Sequence, residues 1–336
     1  MGKTTMADVA KKAGVSKSTV SQFLNERYEY MSPDTRIRIE AAIDELNYQP
    51  NYLARSLKQK RTSTVGIIVA NIMHQFSTEV SRSVEDYFNK HNMHAIVCNA
   101  DNDPEKEKKY IEMLRAKQVD GLIIFPTAQN ADIYKNMIKE EYPVVFMDRK
   151  VPDLQAPTVV SQNIEATYSA IQHFIDNGHE RIAIATEPLT ISPRIERHEG
   201  YKKALHANGI KINPEFQIST SIDKIKKELD RLFQLDAPPT AILAGNDIVF
   251  IEVLEFAKEK KLEVGESFAL VVFDNIPFAH FVHPPVTTIA QSAYMMGEKA
   301  ADLLLKQINK EQIDRHEVSF PCELIIRDSS KRLKEK

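Results

Sequence analysis

The 336-residue chain carries only two cysteines, Cys98 and Cys322, far apart in sequence. That excludes a disulfide framework and a cysteine-based metal knuckle, and it suits a reducing compartment. No run of about 18 apolar residues occurs, so no membrane-spanning helix is expected. The opening Met1-Gly2-Lys3-Thr4-Thr5 leads directly into a polar helical pattern rather than a secretory signal, so a cytoplasmic location is expected. Glycine is scarce, at 10 residues, and neither Gly-x-x-x-x-Gly-Lys-Ser/Thr nor Gly-x-Gly-x-x-Gly is found. The phosphate-cradling loops of common nucleotide-using enzymes are therefore missing. The histidines show no metal-ligand spacing, and His179, His198 and His280 read as surface or capping residues. No metal, cofactor or catalytic residue is expected, so the chain does not read as an enzyme. The tail 329–336 (SSKRLKEK) lacks the apolar heptads of a coiled coil.

Charge is present but unevenly placed. Residues 1–61 hold 11 Lys/Arg against 7 Asp/Glu, a net of +4, and the remaining 275 residues carry a net of −7. A basic head on an acidic body points to a polyanion as the partner of the head alone. Lysines that merely solvate a surface account for the charge equally well when nothing else is considered.

Three short helices are predicted within the first fifty residues. Residues 6–13 place Met6, Val9, Ala10 and Ala13 on one face, and Gly14 ends that pattern as a C-cap glycine does. Ser16 is a suitable N-cap for a helix over 17–24, held to its neighbours by Val20 and Leu24. Ser32-Pro33 opens a third helix that runs to about Leu46, with Ile37, Ala41 and Leu46 as its expected apolar stripe. A helical stretch over 51–58 and a polar connector, QKRTST, follow. The first two helices with their glycine-containing turn make a helix-turn-helix, which lays its second helix in the major groove. Many small helical domains show such a turn, so this pattern alone leaves DNA binding open.

From Val65 the texture changes to apolar strands alternating with amphipathic helices. Strands are predicted at 65–70, 94–100, 121–126, 143–148 and 158–162, and a second series at 181–186, 240–245, 268–273 and 287–291. Near-continuous Val/Ile/Leu runs separated by helices predict parallel strands buried on both faces. Two series predict two doubly wound α/β lobes, with ligands held outside the carboxyl ends of the strands.

Read together, Met6-Ala7-Asp8-Val9-Ala10, Ala13-Gly14-Val15-Ser16, Thr19-Val20-Ser21 and Leu24-Asn25 closely resemble the head of the LacI/GalR family of bacterial regulators. Pro50-Asn51 followed by Ala54-Arg55-Ser56-Leu57 resembles that family's hinge, and the similarity continues through the sensor. The resemblance implies an α/β chain in which an all-α helix-turn-helix head and a hinge helix precede a two-lobed, periplasmic-binding-protein-like sensor. The implied divisions are a head over 1–50, a hinge and linker over 51–64, a first lobe over 65–162 plus 292–320, and a second over 163–291 plus 321–330. The implied function is that of a homodimeric repressor of carbohydrate or sugar-acid catabolic genes. It would leave a near-palindromic operator when a small sugar-type effector binds between the lobes, with induction assumed over corepression.

By the same resemblance, Lys17, Ser18, Thr19, Ser21, Gln22 and Asn25 fall at DNA-contacting positions of the head. Leu57 falls where the hinge wedges into the minor groove, with Ala54 and Lys58 beside it. An apolar wedge kinks the duplex and brings more protein surface onto it. Gln22 stands where many relatives carry Arg, and Gln pairs best with adenine where Arg favours guanine.

Effector contacts are implied at Phe76, Asp148, Arg149, Arg197, Asn246, Asp274 and Gln291, with Asp247 and Asn275 as readily helix caps as ligands. Carboxylates, amides and arginine converging on a cleft suit a polyhydroxylated ligand. Two departures from the family bear on that ligand. Residues 218–224 (ISTSIDK) offer no aromatic platform, and Ser161-Gln162-Asn163 lacks the Asp often found before the Asn. One negative charge fewer beside Arg149, Arg194 and Arg197 favours an anion, and the strings NERYEYMSPDTR and PEKEKKYIEMLRAKQVDGLIIFP are similar to regulators of ketodeoxygluconate use. A sugar acid is therefore the expected effector. A solute-binding protein would need neither basic head nor hinge, and the alternative within the regulator class is a phosphoprotein partner in place of a metabolite as effector.

Overall fold

A computed structural model describes residues 4–49, 61–127, 129–313 and 316–331. The chain forms two compact units that divide between Thr62 and Ser63.

The first unit holds three helices, α1 (Met6–Ala13), α2 (Lys17–Leu24) and α3 (Pro33–Glu45). Their termini follow from local chemistry. The Asp8 carboxylate accepts from the Thr5 N–H at 2.8 Å, tying down the first turn of α1. Gly14 closes that helix at φ 67°, a left-handed conformation that costs glycine nothing. Ser16 Oγ accepts from the Thr19 N–H at 3.1 Å and Ser32 Oγ from the Thr35 N–H at 3.2 Å, so each later helix starts at a hydroxyl cap. Helices this short are marginal alone, and they are held by a shared core of Val9, Ala10, Ala13, Val20, Met31, Ile39, Ala42 and Tyr48. The apolar face of α3 differs from the stripe expected through Ile37, Ala41 and Leu46. Ile37 is 65% exposed and Ala41 also faces outward, while Ile39, Ala42, Ile43 and Leu46 pack inward. Positions spaced 3, 4 and 7 apart share one helical face, which a stripe through Ile37, Ala41 and Leu46 does not satisfy.

The second unit is built on two six-stranded sheets. The first contains β1 (Thr64–Val69), β2 (His94–Asn99), β3 (Leu122–Ile124), β4 (Val144–Met147), β5 (Thr158–Ser161) and β11 (Glu317–Phe320), in the order β11-β5-β4-β3-β1-β2. The second contains β6 (Ile182–Thr186), β7 (Gln217–Ser219), β8 (Ala241–Ala244), β9 (Ala269–Phe273), β10 (Thr287–Ala290) and β12 (Glu323–Ile325), in the order β12-β10-β9-β8-β6-β7. The topologies correspond strand for strand, and every pairing is parallel except β10 with β12.

Helices α4 (Gln75–Lys90), α5 (Pro104–Ala116), α6 (Ala131–Lys139) and α11 (Ala293–Asn309) cover the first sheet, joined in two cores either side of it. Helices α7 (Asn163–Asp176), α8 (Ser192–Ala207), α9 (Ile222–Phe233) and α10 (Asp247–Lys260) cover the second. Strands β1, β3, β4, β6, β8 and β9 are buried almost throughout, as their unbroken apolar runs require. Strand β2 lies at an edge and leaves Ile96 and Val97 partly exposed. The backbone passes between the sheets three times, after β5, after β10 and after β11. Among the described residues no helix is long and apolar enough to cross a membrane.

Candidate DNA-reading surface and effector cleft

On α2 the structure exposes Lys17, Ser18 and Gln22 and half-buries Thr19, Ser21 and Asn25. Val20 is wholly buried and fixes the opposite face. Ser18 and Thr19 both bond to the cap, their hydroxyls 2.6 and 2.8 Å from Ser16 Oγ. Asn25 Nδ2 donates to the Ser21 carbonyl at 2.6 Å and so closes the helix rather than reaching outward. Lys17 and Gln22 are thus long, exposed side chains that form no hydrogen bond or ion pair among the described residues. Tyr30, 94% exposed, is a further aromatic in this unit that sequence patterning passed over. The hinge positions Ala54, Leu57 and Lys58 lie outside the described residues.

In the sensor, Phe76, Asp148, Arg149, Arg197, Asn246, Asp274 and Gln291 all line one cleft at the carboxyl ends of the two sheets. Their placement follows from the strands. Asp148 immediately follows β4 and Asp274 immediately follows β9, with φ angles of 68° and 91°. Left-handed backbone at a non-glycine residue carries strain, here held by a backbone bond from each residue to the next strand. Asp148 N–H donates to Val159 O at 2.8 Å, and Asp274 N–H donates to Ile289 O at 2.9 Å.

The cleft is densely cross-bonded. Arg197 Nε donates to Asn163 Oδ1 at 3.0 Å and its Nη1 to Gly245 O at 2.6 Å, while its guanidinium lies 3.5 Å from the Phe273 ring centroid. A Cβ at Gly245 would stand 2.9 Å from the Ala185 carbonyl oxygen, so only glycine brings that acceptor so close to β6. Gln291 Nε2 donates to Asp274 Oδ1 at 2.5 Å, and Gln291 Oε1 accepts from Ser161 Oγ at 2.6 Å, joining the lobes near two crossings. Asn246 Oδ1 caps α10 at Val249 N–H, and its Nδ2 donates to Glu187 at 2.8 Å. Arg194 pairs with the same Glu187 at 2.8 Å. Arg149 donates to Pro126 O at 3.2 Å and to Asn102 Oδ1 at 2.7 Å, with its Nε 3.7 Å from the Asp148 carboxylate. No hydrogen-bond donor reaches Asp148 among the described residues. Burial pushes the Asp148 and Asp274 carboxyls above the ordinary carboxylate range, against the pull of neighbouring arginines.

Sequence reasoning missed His74. Its Nδ1 lies 2.5 Å from Asp247 Oδ1, while Asp247 Oδ2 accepts from the Gln75 N–H at 3.0 Å. Asp247 thereby begins α10 in one lobe and neutralises the N-terminus of α4 in the other. Asn275 is turned away from the cleft, accepting from Thr288 Oγ1 at 3.0 Å. His179 and His198, expected as surface or capping residues, are instead buried. His198 bonds Thr186 Oγ1 at 2.9 Å and burial pushes its pKa down to about 4, so it is a neutral core imidazole. His280 is exposed. Among the described residues no group of three or more His, Cys, Asp or Glu could hold a metal ion.

Residues 5–51 match the model of bacterial regulatory proteins of the lacI family, and residues 171–330 match that of a periplasmic binding protein-like domain. The chain is 45% identical over 319 residues to the probable HTH-type transcriptional regulator EndR of Paenibacillus polymyxa, covering 94% of each chain. It is 34% identical to the HTH-type transcriptional regulator KdgR of Bacillus subtilis, covering 98% of each. Among solved structures, the lac repressor dimer bound to operator and the anti-inducer ONPF is similar at a TM-score of 0.87 and 25% identity, over 98% of this chain and all of that one (100%).

Proposed function

The chain belongs to the LacI family of bacterial transcription regulators, and we propose that it is a homodimeric repressor released from its operator by a hydroxyl-rich small molecule bound between the sensor lobes. DNA-binding regulation, rather than enzymatic chemistry, is the work of this family. Lys17, Ser18 and Gln22 would read base edges, with Thr19, Ser21 and Asn25 shaping the helix that carries them. Ala54, Leu57 and Lys58 would enter the minor groove. A two-fold dimer matches a near-palindromic operator, and the exposed apolar side chains Ile72, Met73, Ile96 and Val97 supply surface for a second copy. Work on chromosomal DNA would be carried out in the cytoplasm.

Asp148 carries the effector reading. It is a largely buried carboxylate with no hydrogen-bond donor among the described residues, so it calls for a ligand that donates, as sugar hydroxyls do. Asp274 and Arg197 face it across the cleft from the other lobe. Linkage then makes operator and effector each weaken the other by the same factor. Two ligand classes fit. The relative named KdgR and the arginine trio support a sugar acid. The pairing of Arg194 with Glu187 and the nearness of Arg149 to Asp148 support a neutral sugar, because they leave little uncompensated positive charge. Calorimetry with ketodeoxygluconate, gluconate and glucose separates the two, and a gel shift on promoter DNA with the ligand bound most tightly tests the whole reading. Operator affinity unmoved by any ligand that fills the cleft would defeat it.

A further inference from the structure

Glu107 stands in the charged string PEKEKKY on α5, yet it is wholly buried. Its acceptors are occupied by neutral donors from one stretch of chain that follows β3. The Thr127 N–H donates to Oε2 at 2.8 Å, Asn130 Nδ2 donates to Oε1 at 3.2 Å, and the Tyr134 hydroxyl donates to Oε1. Burial, and then the neighbouring carboxylate, hold the Tyr134 phenol well above its ordinary pKa, so it stays a donor. Removing a carboxylate from water is costly unless donors replace the water, and an apolar side chain would fill this core more cheaply. Stability alone therefore does not account for an acid here.

What this stretch carries does account for it. Phe125 lines the cleft, and the next residue, Pro126, offers the carbonyl that receives Arg149 Nη1. Thr127, one residue further on, is the point at which Glu107 grips the backbone. Glu107 thus lies behind the cleft wall and does not line the cavity, and a bonded route from it to the ligand runs through Thr127, Pro126 and Arg149, whose charge the Glu107 carboxylate also favours.

We propose that Glu107 is a positioning residue for effector recognition, fixing the Pro126 carbonyl so that the Arg149 guanidinium is held beside Asp148. This rests on the reading of the cleft as the effector site. The test is a double-mutant cycle in the full-length protein, measured by calorimetry with whichever of ketodeoxygluconate, gluconate and glucose binds the wild type most tightly. R149A should weaken that ligand, and E107Q, which puts an amide NH2 among existing donors, should weaken it roughly tenfold. The double variant E107Q/R149A should bind no worse than R149A, because Glu107 acts through the arginine, and operator affinity without ligand should stay within about twofold. A merely structural carboxylate would give additive losses instead. Y134F/R149A repeats the cycle with a smaller perturbation if E107Q fails to fold. Additive losses in the cycle, or an E107Q chain with unaltered ligand affinity, overturn the proposal. No loss in R149A, or no binding of any probe by the wild type, overturns the cleft reading itself.

Discussion

Asp148 and Asp274 occupy the same place in the two lobes: each follows the fourth strand of its sheet, turns left-handed, and anchors its N–H on the fifth strand. Duplicated topology therefore delivers two carboxylates to opposite walls of one cleft. If both accept ligand hydroxyls, D148N and D274N should each weaken the effector by about tenfold to a hundredfold, the range of a hydrogen bond to a charged group. Operator affinity without effector should be preserved in both. Calorimetry and fluorescence anisotropy on the same preparations would check this, and equal loss of both affinities would point to misfolding instead.

The link between His74 and Asp247 carries a pH dependence. Burial pulls the His74 pKa down, but the hydrogen bond to Asp247 and the fields of Asp247, Asp274 and Glu187 outweigh it and leave the pKa above 6.5. Burial pushes Asp247 up, and its bond with His74 outweighs that and leaves it below 3.8. A base with a raised folded pKa contributes fully below its unfolded value and loses that contribution as pH climbs through the folded one. An acid with a lowered pKa contributes above its unfolded value and loses it as pH falls. The link is thus strongest between 3.8 and 6.5 and weakens toward alkaline pH. Thermal melts at about pH 6 and about pH 8 should show the wild type losing on the order of 1 kcal/mol that D247N does not lose. Parallel profiles for the two proteins would refute the assignment.

Gln22 is exposed on α2, so its exchange should alter reading rather than folding. Operator selection with wild type and Gln22→Arg should move the preferred base from adenine to guanine, at about 1–3 kcal/mol of discrimination. An unchanged preference would rule out this side chain as the reader.

Ser16 caps α2 and also holds the hydroxyls of Ser18 and Thr19. Ser16→Ala should cost about 1 kcal/mol of head stability. It should also lower operator affinity, with effector affinity in the sensor untouched; calorimetric unfolding and anisotropy read the two effects separately.

Much of this architecture could be read directly from the residues. The three head helices follow from Gly14, Ser16 and Ser32-Pro33, and the buried strands from their unbroken aliphatic runs. Strands β7, β11 and β12 escaped because they are three or four residues long and only partly buried, so they lack that signal. Ile37 misled because an apolar residue near a helical stripe need not be part of it. All seven cleft positions taken from the family resemblance line a single cavity. His74 and Glu107 were invisible for a different reason. Asp247 is 173 residues from His74, and Glu107 sits in a string of charges that reads as solvated surface. Only the fold reveals which members of such strings are turned inward.

The three passages of backbone between the sheets act as a bookbinding. One strap would let the halves swivel freely, whereas three, with the hydrogen bond from Ser161 to Gln291 alongside, would restrain shear more than a page-like opening. Side chains at the fore-edge could then be exchanged, retuning which molecule is gripped, without disturbing the straps that join the two halves.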